Sequence, residues 1–220
     1  MKNISKALFV DHRDSFSGNL AAALSISGLD FDIIQDHNLP SNPSALVELA
    51  SQYSALVLSP GPGTPSEYPK SAQLFSLGFA SKPVLGVCLG LQIVLHACGF
   101  TVERIAANPI HGRTCCLQKL KPSRFLQNNN GTEFCFNGSW VFYNSLGCTA
   151  SDETLANGNW FALAREDSII AAVEHRHNKH VLVQFHPESF ASVNGQSFIQ
   201  AFAKSFCHIT TRSTENKSLL

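Results

Sequence analysis

Cys88 is the residue of this chain best suited to covalent chemistry. It lies in Gly86-Val87-Cys88-Leu89-Gly90, directly after an apolar run over 83–87 that reads as a buried strand. A nucleophile between two glycines at a strand-to-helix turn is typical of a nucleophile elbow, because glycine avoids Cβ clashes in a tight turn. The helix expected over 89–97 would present its N-terminal N–H groups to the sulfur and favour the reactive thiolate. The sequence therefore predicts that Cys88 is a nucleophile.

His186 and Glu188 offer the base that such a nucleophile needs. They are two residues apart at the end of a predicted strand, so their side chains point the same way. A carboxylate beside an imidazole fixes the tautomer of the ring and stabilises the imidazolium that forms when the ring takes a proton. We expect His186 to act as the base and Glu188 to orient it.

A loop rich in proline and glycine, Ser59-Pro60-Gly61-Pro62-Gly63, could complete the site. Proline rings stiffen this loop and leave the backbone N–H groups between them exposed. We predict that the N–H groups of Gly61 and Leu89 converge as an oxyanion hole. In other enzymes, one such donor contributes on the order of 3 kcal/mol.

The six remaining cysteines lack the elbow context and are interpreted as core or surface thiols: Cys98, Cys115, Cys116, Cys135, Cys148 and Cys207. No two are spaced Cys-x-x-Cys, so neither a zinc knuckle nor a thioredoxin motif is indicated. His175 and His177 lie beside Glu174, but the stretch 174–180 is charged and turn-like, and no further ligand completes a tetrahedral set. We predict no metal and no cofactor.

Apolar runs and helical segments alternate through the first half of the chain. Strands are predicted over 7–10, 31–34, 55–58 and 83–87, and helices over 15–27, 43–51 and 71–80. This alternation predicts a parallel sheet whose carboxyl ends collect the candidate residues on one rim. The second half predicts shorter strands in a mixed or antiparallel extension of the same domain, over 114–120, 134–136, 141–143, 160–165, 169–174 and 181–185. A closing helix is predicted over 197–206.

Composition bounds the class of protein. The 220 residues are 44% hydrophobic and 15% charged, with zero formal net charge, as expected of a soluble globular domain. No basic stretch alternates with aromatic residues, so a nucleic-acid partner is not expected. The apolar run 7–10 is too short for a signal peptide or a membrane span, and the odd number of cysteines predicts a cytoplasmic protein. We assign residues 1–207 to one domain and 208–220 to a polar C-terminal tail.

Three blocks, in matching order and spacing, resemble the signatures of class I (triad) glutamine amidotransferases: Leu58-Ser59-Pro60-Gly61-Pro62-Gly63-Thr64-Pro65, Gly86-Val87-Cys88-Leu89-Gly90-Leu91-Gln92 and Gln184-Phe185-His186-Pro187-Glu188-Ser189. The chain is most similar to the glutaminase subunits (component II) of anthranilate synthase and 4-amino-4-deoxychorismate synthase. That closer likeness also rests on Asp14-Ser15-Phe16, Asn19-Leu20, His111-Gly112 and Tyr143-Asn144-Ser145-Leu146. The resemblance implies an α/β, flavodoxin-like domain type. Its sheet would be mainly parallel, with helices on both faces and a mixed or antiparallel C-terminal extension.

The resemblance also implies a reaction. Cys88 would attack the side-chain amide carbon of glutamine, and the N–H groups of Gly61 and Leu89 would hold the oxyanion. His186 would protonate the departing ammonia. Water would then hydrolyse the γ-glutamyl thioester, with His186 as base and Glu188 orienting it.

The same resemblance implies a binding site and a partner. Gln92 would help to seat glutamine, and the backbone of Ser145 and Leu146 would hold its α-amino and α-carboxylate groups. Ammonia would pass to a chorismate-binding synthase subunit of a hetero-oligomer, which would make anthranilate, aminodeoxychorismate or both.

Three departures from the family pattern stand out. Leu91 and Asn144 each replace a common histidine, and the opening Asp11-His12-Arg13-Asp14-Ser15-Phe16 replaces Asp-Asn-Tyr-Asp-Ser-Phe. We expect Leu91 to pack towards the sheet. None of these changes removes Cys88, His186 or Glu188.

Several alternatives remain open at the level of sequence. The acceptor could belong to guanylate or carbamoyl phosphate synthesis, although the first predicted strand leaves no room for the extra N-terminal domain that the small subunit of carbamoyl phosphate synthetase carries. The second alternative is a cysteine hydrolase on the same scaffold. The third is a non-catalytic regulatory subunit, favoured chiefly by Asn144.

Overall fold

The computed structural model describes residues 6–105, 110–128, 130–136 and 138–211. The strands in chain order are β1 (Ala7–Asp11), β2 (Phe31–Gln35), β3 (Ala55–Leu58), β4 (Val84–Val87), β5 (Glu103–Arg104), β6 (Ile110–Cys116), β7 (Gln118–Lys119), β8 (Ser139–Asn144), β9 (Leu146–Gly147), β10 (Trp160–Glu166), β11 (Ile169–His175) and β12 (His180–Val183). The α-helices are α1 (Ser17–Ile26), α2 (Pro43–Ser51), α3 (Pro69–Leu74), α4 (Leu89–Ala97), α5 (Asp152–Asn157) and α6 (Gly195–Thr211). A π-helical turn over Phe75–Phe79 continues α3, and short 3-10 turns occupy Asp36–Asn38 and Pro65–Glu67.

The central sheet has eight strands in the order β2-β1-β3-β4-β12-β11-β10-β7. The strands from β2 to β12 are mutually parallel, whereas β11, β10 and β7 follow in antiparallel pairings. The α/β class and the mixed extension are thereby confirmed. Because β1, β3, β4 and β12 run the same way, the residues after their carboxyl ends share one rim.

Alternate residues of the parallel strands enter two apolar layers, one on each face of the sheet. Phe9, Val57 and Val87 pack with α1 and α6 in one layer, and Val10, Leu58 and Leu182 pack with α2, α3 and α4 in the other. Strands buried on both faces must be apolar almost throughout, which is why these segments could be predicted from sequence.

Parts of the second half differ from prediction. Residues 134–136 form no strand; Phe134 and Phe136 instead pack their rings against Phe198 in the core, and this aromatic packing directs an irregular backbone. The predicted strand over 114–120 is interrupted at Leu117, and its first part pairs with β8 in a separate two-stranded ribbon.

The C-terminal region also differs in its details. Helix α5 was not predicted, although its first turn has Ser151 as a cap that accepts from the backbone N–H of Thr154. Helix α6 continues to Thr211 and so crosses the predicted start of the tail at 208, while residues 212–220 of that tail lie outside the described ranges. Within the described residues, no helix is both long and apolar enough to span a membrane.

Candidate active site

Cys88 forms a strained turn between β4 and α4. Its φ of 53° and ψ of −104° lie in a region that side chains rarely occupy. A Cβ atom on Gly90 would lie 2.3 Å from the carbonyl oxygen of Leu58, and one on Gly86 would lie 2.8 Å from the carbonyl carbon of Gly90. The Cys88 N–H donates to the Val183 carbonyl at 2.8 Å and so ties the turn to β12. The two glycines are thus needed for close backbone packing, as the elbow interpretation predicts.

Gly61 and Leu89 lie against each other at the same rim. A Cβ atom on Gly61 would be 2.5 Å from the end of the Leu89 side chain and 2.6 Å from the Cβ of His12, so the loop packs closely here because this residue is glycine. Leu89 is the first residue of α4, where N–H groups have no partner within the helix. Within the described residues, neither amide donates to a protein acceptor. The structure therefore brings Gly61 against the first residue of α4, and the convergence of the two N–H groups on one oxyanion stays a prediction.

His12 is hydrogen-bonded to Ser59 at the start of the Pro-Gly loop, a role that the sequence did not indicate. It is fully buried; its backbone N–H donates to Ser59 Oγ at 2.8 Å, and its ring Nδ1 lies 3.2 Å from the Ser59 carbonyl oxygen. Its Nε2 lies 3.0 Å from Ser71 Oγ. Burial lowers the pKa of His12 to about 4, so the ring is neutral near pH 7. The altered opening of the chain thus supports the loop that carries Gly61.

His186 and Glu188 form the pair that their spacing predicts. Nδ1 of His186 lies 2.7 Å from Glu188 Oε1, and both side chains are almost completely buried. The turn between them is fixed because the His186 N–H donates to Val141 and because Ser192 Oγ donates to the His186 carbonyl. The carboxylate thus holds the proton on Nδ1 and turns Nε2 away from itself.

Cys88 acts on the charge of the His186 ring. Burial lowers the pKa of His186, but the nearby Cys88 and the hydrogen bond to Glu188 outweigh burial and raise it to about 10. The effect of Cys88 includes a side-chain contact with the ring as well as an electrostatic interaction, although Nε2 makes no hydrogen bond of ordinary geometry with the described residues. The resting site therefore favours an imidazolium beside the sulfur.

We expect Cys88→Ala to lower the pKa of His186, because it removes the strongest influence that raises it and leaves burial opposed by Glu188 alone. NMR titration of the His186 ring in the wild type and the variant measures this change. His37, exposed on the surface, provides the control ring in the same spectra. An unchanged His186 titration would contradict the electrostatic coupling.

Two aromatic rings cover His186 on its outer side. The centroids of Phe16 and Tyr143 lie 5.0 Å and 5.3 Å from the imidazole, and the two rings lie 5.0 Å from each other. Cys88 itself is only 6% exposed. The rings therefore limit the access of water to the imidazole.

The predicted substrate-binding residues Gln92 and Leu146 are hydrogen-bonded to each other, and Ser145 is bonded to the segment after β5. Gln92 Nε2 donates to the Leu146 carbonyl at 3.1 Å, and Asn144 Nδ2 donates to the same oxygen at 2.9 Å. The Ser145 carbonyl accepts from the Ile105 N–H at 3.0 Å. These bonds fix the 144–146 backbone, and Asn144 contributes one of them. Its Oδ1 is buried without a partner among the described atoms.

The structure also describes the other residues that the sequence analysis singled out. Leu91 is fully buried in the apolar layer beside α4, as expected. Nδ1 of His175 accepts the backbone N–H groups of His177 and Asn178. In the described part of the chain, no three His, Cys, Asp or Glu side chains are grouped to hold a metal ion.

Gln184 is a site residue that sequence reasoning missed. It precedes His186 in the third signature block, and its amide Nε2 lies 3.5 Å from the Cys88 sulfur. Its place at the end of β12, two residues before the base, was the available signal.

Known proteins resemble this chain over most of its length. The family model for "Glutamine amidotransferase class-I" matches residues 8–206. The chain is 33% identical over 197 residues to anthranilate synthase component 2 of Halobacterium salinarum, covering 88% of this chain and 94% of that protein. It is 32% identical over 205 residues to the chloroplastic anthranilate synthase beta subunit 2 of Arabidopsis thaliana, covering 90% and 70% of the two chains.

Solved structures share the fold. A protein of Thermoplasma acidophilum, provisionally named as one of the subunits of GMP synthase, superposes with a TM-score of 0.73 at 16% identity, over 98% of this chain and all of the other. A glutamine amidotransferase of Thermotoga maritima gives a TM-score of 0.63 at 14% identity, over 93% and 96% of the two chains. At these identities the likeness concerns the fold alone.

Proposed function

Because the chain belongs to the class-I glutamine amidotransferase family, we propose that it hydrolyses glutamine through a thioester on Cys88 and supplies the ammonia to a chorismate-using synthase subunit. The observation that carries the proposal is the juxtaposition of a strained, rim-facing Cys88 with the buried His186–Glu188 pair. Anthranilate is the proposed product, since the relatives described above are named for anthranilate synthase. Aminodeoxychorismate is the alternative product of the same kind of assembly.

In the acylation half, the Cys88 sulfur bonds to the side-chain amide carbon of glutamine, and the carbonyl oxygen takes the negative charge. The N–H groups of Gly61 and Leu89 stabilise that oxyanion. When the intermediate collapses, the carbon–nitrogen bond breaks and the nitrogen leaves as ammonia with a proton from His186.

In the deacylation half, a water molecule gives a proton to His186 as its oxygen bonds to the thioester carbon. The carbon–sulfur bond then breaks, glutamate leaves, and the Cys88 sulfur is regenerated. Glu188 keeps the imidazole oriented and stabilises its positive charge during both halves. Phe16 and Tyr143 support this chemistry by limiting water around the ring.

The test is a glutaminase assay on the purified chain, alone and with a candidate chorismate-using subunit, combined with mass spectrometry of the acid-quenched reaction. We expect glutamate to form and a glutamyl adduct to lie on the peptide containing Cys88. With the partner, glutamine should support synthesis of anthranilate from chorismate. Absence of glutamate under both conditions would overturn the enzyme proposal in favour of a regulatory subunit, and glutamate without amination of chorismate would overturn the acceptor.

A further inference from the structure

Two buried glutamine side chains connect the Cys88 sulfur to the backbone of Leu146. Gln92 Nε2 donates to the Leu146 carbonyl at 3.1 Å and to Gln184 Oε1 at 3.1 Å, and Gln184 Nε2 lies 3.5 Å from the sulfur. Gln92 is 3% exposed and Gln184 is fully buried, so water does not replace these contacts.

The direction of each amide follows from its partners. A backbone carbonyl can only accept, so the nitrogen of Gln92 must face Leu146. That same nitrogen has one further hydrogen, which meets the oxygen of Gln184. The nitrogen of Gln184 is therefore turned to Cys88, and the sulfur meets an N–H donor instead of a carbonyl oxygen.

The backbone also aims Gln184 at the site. Val183 and Phe185 pack into the apolar layer on the α1 and α6 side of the sheet, so Gln184 and His186 point to the opposite side, where α4 begins. The Gln184 N–H donates to the Ala171 carbonyl at 2.9 Å, which extends the ladder beyond the end of β12. Gln184 thus lies on the same short segment as the base and faces the same atom.

We propose that Gln184 is a further residue of the catalytic centre: its amide N–H stabilises the negative sulfur of Cys88, and its amide oxygen holds Gln92 in place. The inference rests on the proposed role of Cys88 as nucleophile. A hydrogen bond to a charged acceptor is stronger than one to a neutral acceptor, so this donor favours thiolate over thiol. The Gln184 N–H stabilises the thiolate at two stages: before the sulfur attacks glutamine, and again when the sulfur leaves the thioester carbon during hydrolysis.

The test measures the pH dependence of iodoacetamide alkylation at Cys88, resolved from the other six cysteines by peptide mass spectrometry. Gln184→Met keeps the side-chain volume but removes the donor, and we expect the pH of half-maximal alkylation to rise by about 1 unit. Gln184→Glu places a carboxylate beside the sulfur and should raise it further. Gln196→Glu, the same substitution at an exposed glutamine on α6, is the matched control and should leave the profile unchanged.

A packing role for Gln184 would leave the alkylation profile of folded variants at the wild-type position, and that result overturns the proposal. Circular dichroism and thermal unfolding identify the folded variants. A second measurement needs no variant: in the wild-type chain, the side-chain amide NMR signal of Gln184 should shift as Cys88 titrates, whereas that of Gln196 should not. A static Gln184 signal also contradicts the proposal.

The outcome is separable from that of the proposed function. Alkylation reports on the sulfur without any glutamine, so a shifted profile in a chain that hydrolyses no glutamine supports the Gln184 contact and refutes the glutaminase. An unshifted alkylation profile in a chain that does hydrolyse glutamine supports the glutaminase and refutes the role given to Gln184. In an active enzyme, Gln184→Met should lower kcat for glutamine hydrolysis by about tenfold at pH values where Cys88 is mostly thiol in both chains, and the loss should shrink where both carry mostly thiolate.

Discussion

Cys88→Ala should lower glutamine hydrolysis by about 10⁴-fold or more, because it removes the atom that forms the thioester while the oxyanion donors and the substrate-binding residues stay in place. In the complex with the synthase subunit, the same variant should still aminate chorismate when ammonium salts replace glutamine. The measurement compares glutamine-dependent and ammonia-dependent product formation. Equal loss of both activities would indicate damage to the assembly and would count against a role confined to glutamine.

The unusual backbone conformation of Cys88 predicts how substitutions at this position change the stability of the fold. At φ 53° and ψ −104°, a side chain costs on the order of 1–3 kcal/mol, whereas glycine occupies this region freely. Cys88→Gly should therefore be about 1 kcal/mol more stable to unfolding than Cys88→Ala, after allowance for the greater freedom of glycine in the unfolded chain. Urea unfolding of both inactive variants measures the difference. A less stable glycine variant would show that the elbow is unstrained.

The sequence predicted the parts of the fold whose residues must be apolar on both sides. The buried parallel strands β1, β3, β4 and β12 lie within one or two residues of their predicted bounds, since a strand covered by helices on both faces leaves a continuous apolar run. The edge strand β2 is also predicted to within one residue, although it is partly exposed. The segment 134–136 is the contrary case. Phe134 and Phe136 are residues typical of a strand, but their rings pack against Phe198, and such long-range packing cannot be seen in a local pattern.

The candidate site divides in the same way. The sequence alone indicates Cys88, His186 and Glu188, because the glycines on either side of Cys88 and the two-residue spacing of His186 and Glu188 are visible in the local pattern. His12 gave no such signal, and Gln184 gave only its place two residues before His186. The contacts of these two residues lie across the fold, with Ser59 and Ser71 for His12 and with Cys88 and Gln92 for Gln184. A buried polar side chain becomes informative only once its partners are known.

Glu188→Gln should lower glutamine hydrolysis by about 10²- to 10⁴-fold while the fold is kept. In the wild type, Nδ1 of His186 lies 2.7 Å from Glu188 Oε1. The side-chain amide oxygen introduced at position 188 can still accept from Nδ1, but it carries no negative charge to stabilise the imidazolium that forms in each half-reaction. Glu48→Gln makes the same change on an exposed face of α2 and serves as the control. Initial rates with saturating glutamine measure the loss, and activity within a few-fold of wild type would contradict the role given to Glu188.

The same substitution should change how stability depends on pH. The pKa of His186 is raised from 6.5 to about 10 in the folded chain, so its charge stabilises the fold fully below pH 6.5, and that stabilisation is lost as pH rises through about 10. Glu188 is one of the groups that raise this pKa, so Glu188→Gln removes part of a contribution that exists only at the lower pH. The difference in free energy of unfolding between wild type and variant should therefore be largest near pH 6.5 and should narrow towards pH 10. Urea titrations across this range, with Glu48→Gln in parallel, measure that narrowing; a constant or widening difference would mean that Glu188 does not hold a charged His186.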